Sequence, residues 1–148
     1  MNQKIIDFIQ SQRICVLAVE MLDGSPHGAT VHFAYDIEAG KFYFETYRDY
    51  RKCEALFGRE KTRATIVVGF DESNMKTLQM DGAVSLLPEG DKGRFDAVYL
   101  GKFPNKKEKS QDPKFVFFTF TPTWWRYTDW TNPNGKEIIT SESLEAES

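Results

Sequence analysis

Most of the chain alternates short apolar runs with Gly, Asp, Asn or Pro turn signals, a pattern typical of β-strands. The runs predict seven strands: 13–21, 27–36, 41–47, 63–71, 76–87, 115–122 and 124–130. Turn signals at Asp23–Gly24 and Ala39–Gly40 separate the first three runs, which therefore predict two consecutive hairpins of an antiparallel meander. Gly82 lies inside the fifth run and predicts a bulge or bend there.

Helical spacing is limited to short segments. Apolar side chains recur every three or four positions within 2–12, which predicts an amphipathic helix. Asp49 is predicted to cap a helix over 50–57 that ends at Gly58. A third short helix is predicted over 94–100, inside a segment of ambiguous pattern.

These elements predict a mainly β (α+β) fold. Seven strands with few helices cannot bury both faces in an open sheet, so we expect a small antiparallel β-barrel, closed or partly closed, with short peripheral helices at its rim. No repeat or linker divides residues 1–131, which are expected to form one domain. Segment 106–114 is predicted to be a solvated loop, and residues 132–148 a polar C-terminal tail that frays.

Composition and charge narrow the function. The chain has 148 residues, of which 41% are hydrophobic, so it can bury one substantial core. Its net charge of −3 argues against general nucleic-acid binding, and any anion it holds is expected to be small. No apolar run approaches the roughly 20 residues that span a bilayer, and no signal-peptide pattern opens the chain. We expect a cytoplasmic protein that acts without a membrane or a nucleic acid.

Most motifs that carry chemistry are missing from the sequence. It contains neither a P-loop nor a dinucleotide-binding glycine pattern. The two histidines, His27 and His32, have no nearby carboxylate or cysteine at metal-ligand spacing, so no metal site is expected. His32 lies in a predicted strand, where a hydrogen-bonded sheet histidine is its expected role. The two cysteines lie far apart and suggest no disulfide scaffold.

One short stretch, "FETYRDYRK" (44–52), ends a strand with a cluster of cations. Arg48, Arg51 and Lys52 fall within five residues, offset only by Asp49. A solvated turn is one interpretation. If Asp49 caps the helix, however, Arg51 and Lys52 lie in its first turn, where cations are unfavourable unless an anion is bound nearby. The placement favours a phosphate at this position.

The order and spacing of several signals resemble a known family. Thr46, the pair Arg51–Lys52 and the flanking segments "GSPHGATVHFAYD" and "TLQMDGAVSLL" carry the resemblance. From about Ile14 to Leu87 the chain is similar to the FMN-binding split-barrel proteins related to pyridoxamine 5'-phosphate oxidase. Its length is similar to the short general-stress-protein branch. The resemblance implies a small antiparallel split β-barrel, with one FMN-binding domain over 1–131.

The resemblance also implies a cofactor site shared by two subunits of a homodimer. Arg51 and Lys52 match the pair that grips the FMN phosphate, and the partner subunit is implied to contribute a polar side chain at the position of Thr77. The second and third strands supply the remaining implied cofactor contacts: Ala29, Thr30, Val31, His32, Glu45 and Thr46.

The C-terminal half departs from the oxidase. Where the oxidase has an Arg/His-rich element that binds its pyridoxal substrate, this chain has "TPTWWRYTDWTNPNG", so vitamin B6 oxidation is not implied. Trp124 and Trp125 are candidate substrate-binding residues beside the flavin, but barrel core and dimer interface are the alternative interpretation of these aromatics.

The sequence and the family resemblance together leave three possible functions. The leading one is an FMN-dependent oxidoreductase that passes hydride or electrons to an unknown small molecule. The second is a non-enzymatic flavin-binding or stress-sensing protein. The third is an OB-type barrel that binds single strands, which the acidic net charge disfavours. The sequence leaves open a deazaflavin or haem in place of FMN.

Overall fold

The computed structural model of the chain describes residues 1–69 and 71–143. Within them lie three α-helices, α1 to α3: Gln3–Ser11, Lys52–Gly58 and Lys92–Lys102. The strands β1 to β8 are Ile14–Glu20, Pro26–His32, Ala34–Asp36, Lys41–Tyr47, Thr62–Val68, Lys76–Leu86, Phe115–Asp129 and Glu137–Thr140. The mainly β prediction is confirmed, and each predicted helix is present with bounds shifted by a few residues.

The strands form one antiparallel sheet in the order β2-β1-β5-β6-β7-β4-β3, with β8 paired to β7. The two edge strands of this order, β2 and β3, are consecutive in sequence and are separated only by Phe33. A single residue can connect the two edges only if the sheet curls until they meet. The sheet is therefore a barrel with an open seam between β2 and the β3–β4 hairpin, as the split-barrel prediction requires.

Alternation along the strands decides what the barrel encloses. In β1 every second side chain, Cys15, Leu17 and Val19, is buried, as expected for a strand with one face on the core. The main core joins these residues to aromatic side chains of β4 and β7 and to one face of α1. Asn2 caps α1 by accepting a hydrogen bond from the Ile5 backbone N–H at 3.0 Å.

A second, smaller core lies outside the barrel, where α3 packs on β3 and β4. Phe95, Tyr99 and Phe103 of this region bury Ala34 and Tyr43. At the same end, Arg94 donates two hydrogen bonds, of 2.8 and 2.7 Å, to the carboxylate of Asp36. These contacts hold α3 against the hairpin, and so fix where the α3–β7 loop begins.

The predicted bulge at Gly82 is confirmed by a register shift between Asp81 and Gly82 in the β6–β7 ladder. A Cβ atom at Gly82 would lie 2.2 Å from the backbone oxygen of Thr121. Only a glycine therefore fits this close approach of two strands.

Four predictions about strands and connecting segments differ from the structure. The run 27–36 forms two strands because the chain changes from pairing with β1 to pairing with β4 at Phe33. The two predicted strands at 115–122 and 124–130 are one continuous strand, β7. The loop 106–114 is not simply solvated, because Lys106 and Ser110 are buried in short 3-10 turns.

The fourth difference is in the C-terminal segment, which was expected to fray. Residues Glu137–Thr140 instead pair with β7, and Glu137 accepts a 2.6 Å ion-pair hydrogen bond from Lys4. Ile139 packs against the main core. The polar composition of the segment gave no indication of this apolar contact. Residues 144–148 lie outside the described residues. None of the described helices is long and apolar enough to cross a membrane.

Candidate functional site

A cleft of about 330 Å³ lies at the open seam of the barrel. β2 and the C-terminal end of β4 form two of its walls, and the start of α2 and the α3–β7 loop form the others. It is lined by His27, Ala29, Thr30, Val31, His32, Glu45, Thr46, Tyr47, Tyr50, Arg51, Lys52, Lys106, Lys109 and Phe115. Eight of the nine predicted cofactor residues therefore come together in one cleft of one chain.

The wall formed by β2 offers backbone groups as well as side chains. Within the described sheet β2 pairs only with β1, through registers such as Ala29 with Leu17 and Val31 with Cys15. The outward N–H and C=O groups of an edge strand have no strand partner and can hydrogen-bond to a ligand. This is why a barrel that stays open at its seam can bind a flat molecule along a strand.

Lys52 and Arg51 form the cationic end of the cleft. The Lys52 residue is only 5% exposed, and none of the described carboxylates lies within 4 Å of its ammonium nitrogen. The ammonium nitrogen lies 4.9 Å from the centre of the Tyr50 ring, a cation–π contact. Burial lowers the pKa of Lys52, because desolvation disfavours the charged form. A buried cation without a counter-charge is costly, and a bound anion would remove that cost.

The predicted helix cap at Asp49 is wrong. α2 begins at Lys52, Arg51 occupies the capping position with helical dihedral angles, and no side chain caps the helix. The N–H groups of Cys53 and Glu54 already donate to the backbone oxygens of Tyr50 and Arg51. An anion at this end would therefore be held by the side chains of Arg51 and Lys52 rather than by free helix N–H groups.

The floor of the cleft contains a buried carboxylate, Glu45, on the outer face of β4. Tyr43 lies on the same face two residues earlier and is covered by α3. Because α3 covers Tyr43, the loop that follows α3 brings Lys106 next to Glu45, with 3.5 Å between Nζ and Oε1. Burial raises the pKa of Glu45, and the nearby charge of Lys106 partly opposes this effect.

Two polar atoms at the floor have no hydrogen-bond partner among the described residues. They are Oε2 of Glu45 and Oγ1 of Thr46, both in side chains that are about 5% exposed. Buried polar atoms in native proteins are nearly always paired. Both atoms are enclosed by protein, and the side chains of Glu45 and Thr46 point to opposite faces of β4, so the two atoms do not form one ligand contact.

The lining charges favour an anion. Arg51, Lys52, Lys106 and Lys109 face the cleft with only one acidic side chain, Glu45, among the lining residues. The whole chain has the opposite sign, with a net charge of −3. The positive charge is therefore local to the cleft, as expected where a small anion is bound.

Sequence reasoning missed Lys106 and Lys109. Both lie in the polar segment 106–114, which was predicted to be a solvated loop. Their spacing does not distinguish them from Lys107, which is exposed. Tyr47 and Phe115 were also missed as lining residues; their rings are 4.4 Å apart and pair across β4 and β7. Only the packing of α3 and the pairing of these strands bring the four residues to the cleft.

Three predicted residues do not line this cleft. Thr77 lies on the outer side of β6, on the opposite face from the buried Leu78. Trp125 belongs to the main core, which agrees with the alternative interpretation of the C-terminal aromatics as core residues. Its neighbour Trp124 is half-buried. Within one chain, therefore, neither tryptophan is placed to contact a molecule in the cleft.

A second and larger depression, of about 760 Å³, lies on the outer face of β1, β5 and β6. Small side chains such as Ala18, Ala64 and Ala83 line it, and Asp81 contributes from β6. Thr77 and Asp81 are four residues apart on the same strand and so share this outer face. The depression carries no cluster of cations and is a separate feature from the cleft.

Solved structures with the same fold include proteins that are named for different roles. A haem-binding protein from Mycobacterium smegmatis superposes with a TM-score of 0.72 at 14% identity, over 94% of this chain and 57% of its own. A protein related to general stress protein 26 from Clostridium acetobutylicum has a TM-score of 0.69 at 15% identity, over 95% and 94% of the two chains. The haem storage protein HutZ from Vibrio cholerae has a TM-score of 0.68 at 19% identity, over 80% and 87%.

Sequence comparison is more specific than these structural likenesses, which show the fold alone. No curated protein matches the chain. The sequence profile of the family described as Pyridoxamine 5'-phosphate oxidase, however, matches residues 1–129, which is most of the chain and includes every strand of the barrel except β8. The chain therefore belongs to the pyridoxamine 5'-phosphate oxidase family.

Proposed function

We propose that the cleft binds FMN and that the protein is an FMN-dependent oxidoreductase acting on a small molecule. The observation that carries this proposal is Lys52, a buried cation that lines the cleft with no carboxylate near it among the described residues. Family membership supports a flavin, and the local excess of cations supports a phosphate on it. The structural neighbours include haem-binding and general stress proteins and so do not distinguish flavin from haem.

The residues present fit FMN at three places. Arg51 and Lys52 would hold the phosphate through charge-assisted hydrogen bonds. The free edge of β2, from Ala29 to His32, would hydrogen-bond along the ring system, and Glu45 and Thr46 line the cleft opposite this edge. Bound FMN would supply the hydride or electron transfer, and the protein would bind, orient and tune it.

FMN titration tests this proposal. We expect the purified protein to take up FMN with the absorption bands of a flavin, and to bind riboflavin more weakly because riboflavin lacks the phosphate. Reduction of bound FMN by NADH or NADPH, followed by steady turnover with an acceptor, would distinguish an enzyme from a non-enzymatic flavin-binding protein. A protein that binds neither flavin would contradict the proposal.

Haem is the second candidate, favoured by one observation. His27 and His32 both line the cleft, and a neutral imidazole is a common iron ligand. Titration with haemin in place of FMN separates the two candidates. An intense Soret band that is lost in His27→Ala or His32→Ala, without any uptake of FMN, would favour haem.

We also propose that two chains form a homodimer through the outer face of β1, β5 and β6. The apolar lining of its depression and the position of Thr77 on the same face support this arrangement. If a partner's residues complete the flavin site, FMN affinity should fall as the protein is diluted into monomers. A sedimentation experiment that finds a monomer with full flavin occupancy would contradict the proposed dimer.

A further inference from the structure

Lys106 makes three polar contacts at the floor of the cleft. Its ammonium nitrogen lies 3.0 Å from Nδ1 of His32, 3.3 Å from the hydroxyl oxygen of Tyr99 and 3.5 Å from Oε1 of Glu45. An ammonium group has three N–H donors, so each contact can receive one. The side chain is 11% exposed, and its ammonium also lies 4.7 Å from the centre of the Phe103 ring.

The contact with His32 determines which nitrogen of the imidazole carries the proton. A lysine ammonium donates hydrogen bonds and cannot accept them, so Nδ1 of His32 must be the acceptor. The proton of the neutral ring then lies on Nε2. His32 is exposed, and no described residue accepts a hydrogen bond from Nε2, so that N–H is open to water or to a ligand of the cleft.

The charges around His32 also disfavour its protonation. Lys106 and Lys109 approach from the α3–β7 loop, Arg13 precedes β1, and Lys102 lies at the end of α3. Glu45 is the nearby acid, and Lys106 neutralises it. Burial, followed by these four cations, lowers the pKa of His32 below its ordinary value. The ring therefore stays neutral over a wider range of pH than a free imidazole.

We propose that Lys106 is the positioning residue of the cleft: it holds His32 as the neutral Nε2–H tautomer and Glu45 as an ionised acceptor. His32 then presents an N–H donor at Nε2, whereas Oε2 of Glu45 is enclosed by protein. Such a donor matches a ligand edge that carries a carbonyl oxygen, as the imide of a flavin does. Only the identity of that ligand rests on the proposed function.

The tautomer is measurable without any ligand. The chain has only two histidines, so nitrogen NMR of the full-length protein gives one signal set for His32 and one for His27, which serves as an internal reference. In the wild type we expect His32 to show the Nε2–H tautomer and to become protonated at lower pH than a free imidazole. In Lys106→Met we expect mixed tautomers and a titration at higher pH. Lys107→Met, an exposed lysine one residue away, should behave as the wild type.

Lys106→Arg is the conservative variant, and it should restore the wild-type tautomer. An Nδ1–H or mixed tautomer in the wild type would overturn the proposal. So would a Lys106→Met spectrum identical to that of the wild type. His27 signals that stay unchanged in all variants would show that the fold is intact.

Flavin titration adds a second readout. Loss of the positioned donor should weaken FMN and riboflavin alike in Lys106→Met, by about tenfold, because both carry the imide. If the wild type binds no flavin, the proposed function fails but the NMR result still decides the role of Lys106. If the wild type binds flavin and Lys106→Met binds both flavins equally well, the positioning role is wrong.

Discussion

Replacing Arg51 with glutamate should weaken FMN binding by more than about a hundredfold. A charge-assisted hydrogen bond contributes roughly 1.5–3 kcal/mol, so losing the arginine alone corresponds to about ten- to a hundredfold in affinity. The glutamate adds repulsion between its carboxylate and the phosphate. Arg51 is exposed at the rim of the cleft, so the substitution should not disturb the core. Fluorescence titration with FMN measures the change.

Riboflavin separates loss of the phosphate contact from loss of the fold. It should bind weakly to the wild type and lose little more in Arg51→Glu, whereas a misfolded variant would lose both flavins. Lys61→Glu, the same change of sign at an exposed lysine outside this cleft, is the matched control. If Arg51→Ala keeps the FMN affinity of the wild type, Arg51 is only a solvated turn residue.

Lys52→Met should separate binding from stability. Methionine keeps the unbranched apolar stem, and removing an unpaired buried cation is expected to leave the free protein as stable or more stable. FMN binding should fall in the same variant. A variant that loses stability while its FMN affinity is unchanged would show that Lys52 serves the core rather than a phosphate.

The largest effect on stability is expected from Asp36→Asn. The side chain of Asp36 is fully buried, accepts two hydrogen bonds from Arg94, and accepts another from the Tyr43 hydroxyl at 2.8 Å. Breaking a buried ion pair typically costs 3–5 kcal/mol. Because the Arg94 side chain is 47% exposed and can reach water, we expect about 2–3 kcal/mol, measured by urea unfolding at pH 7.

The same ion pair predicts how this loss depends on pH. The hydrogen bonds from Arg94, followed by that from Tyr43, hold the pKa of Asp36 well below its usual range. A carboxyl with a lowered folded pKa stabilises the protein above its unfolded pKa of about 4 and loses that effect as the pH falls toward its folded value. The difference between wild type and Asp36→Asn should therefore shrink below pH 4.

Glu38→Gln provides the control for Asp36. Glu38 also lies near Arg94, at 3.3 Å, but its side chain is 83% exposed. Its replacement should leave unfolding almost unchanged. An equal loss of stability in the two variants would show that burial of the pair is not what stabilises α3 against the hairpin.

Several strands and one bulge could be predicted from the local sequence. Strand alternation identified β1, β4, β5 and β6, and a glycine inside an apolar run identified the bulge at Gly82. These features depend on neighbours a few residues apart, which periodicity and turn chemistry report directly. The cation pair Arg51–Lys52 was visible for the same reason, although its assignment to a helix capped by Asp49 was wrong.

The cleft itself was decided only by the tertiary structure. His32 and Lys106 are 74 positions apart, and they meet because the sheet curls until β2 faces β4 while α3 packs over Tyr43. Lys106 and the exposed Lys107 are indistinguishable in a polar segment, yet one is buried against a carboxylate and the other faces water. Local sequence determined β1, β4, β5, β6 and one pair of charges in this protein. Barrel closure and helix packing, which depend on contacts between distant residues, determined which charges share a site.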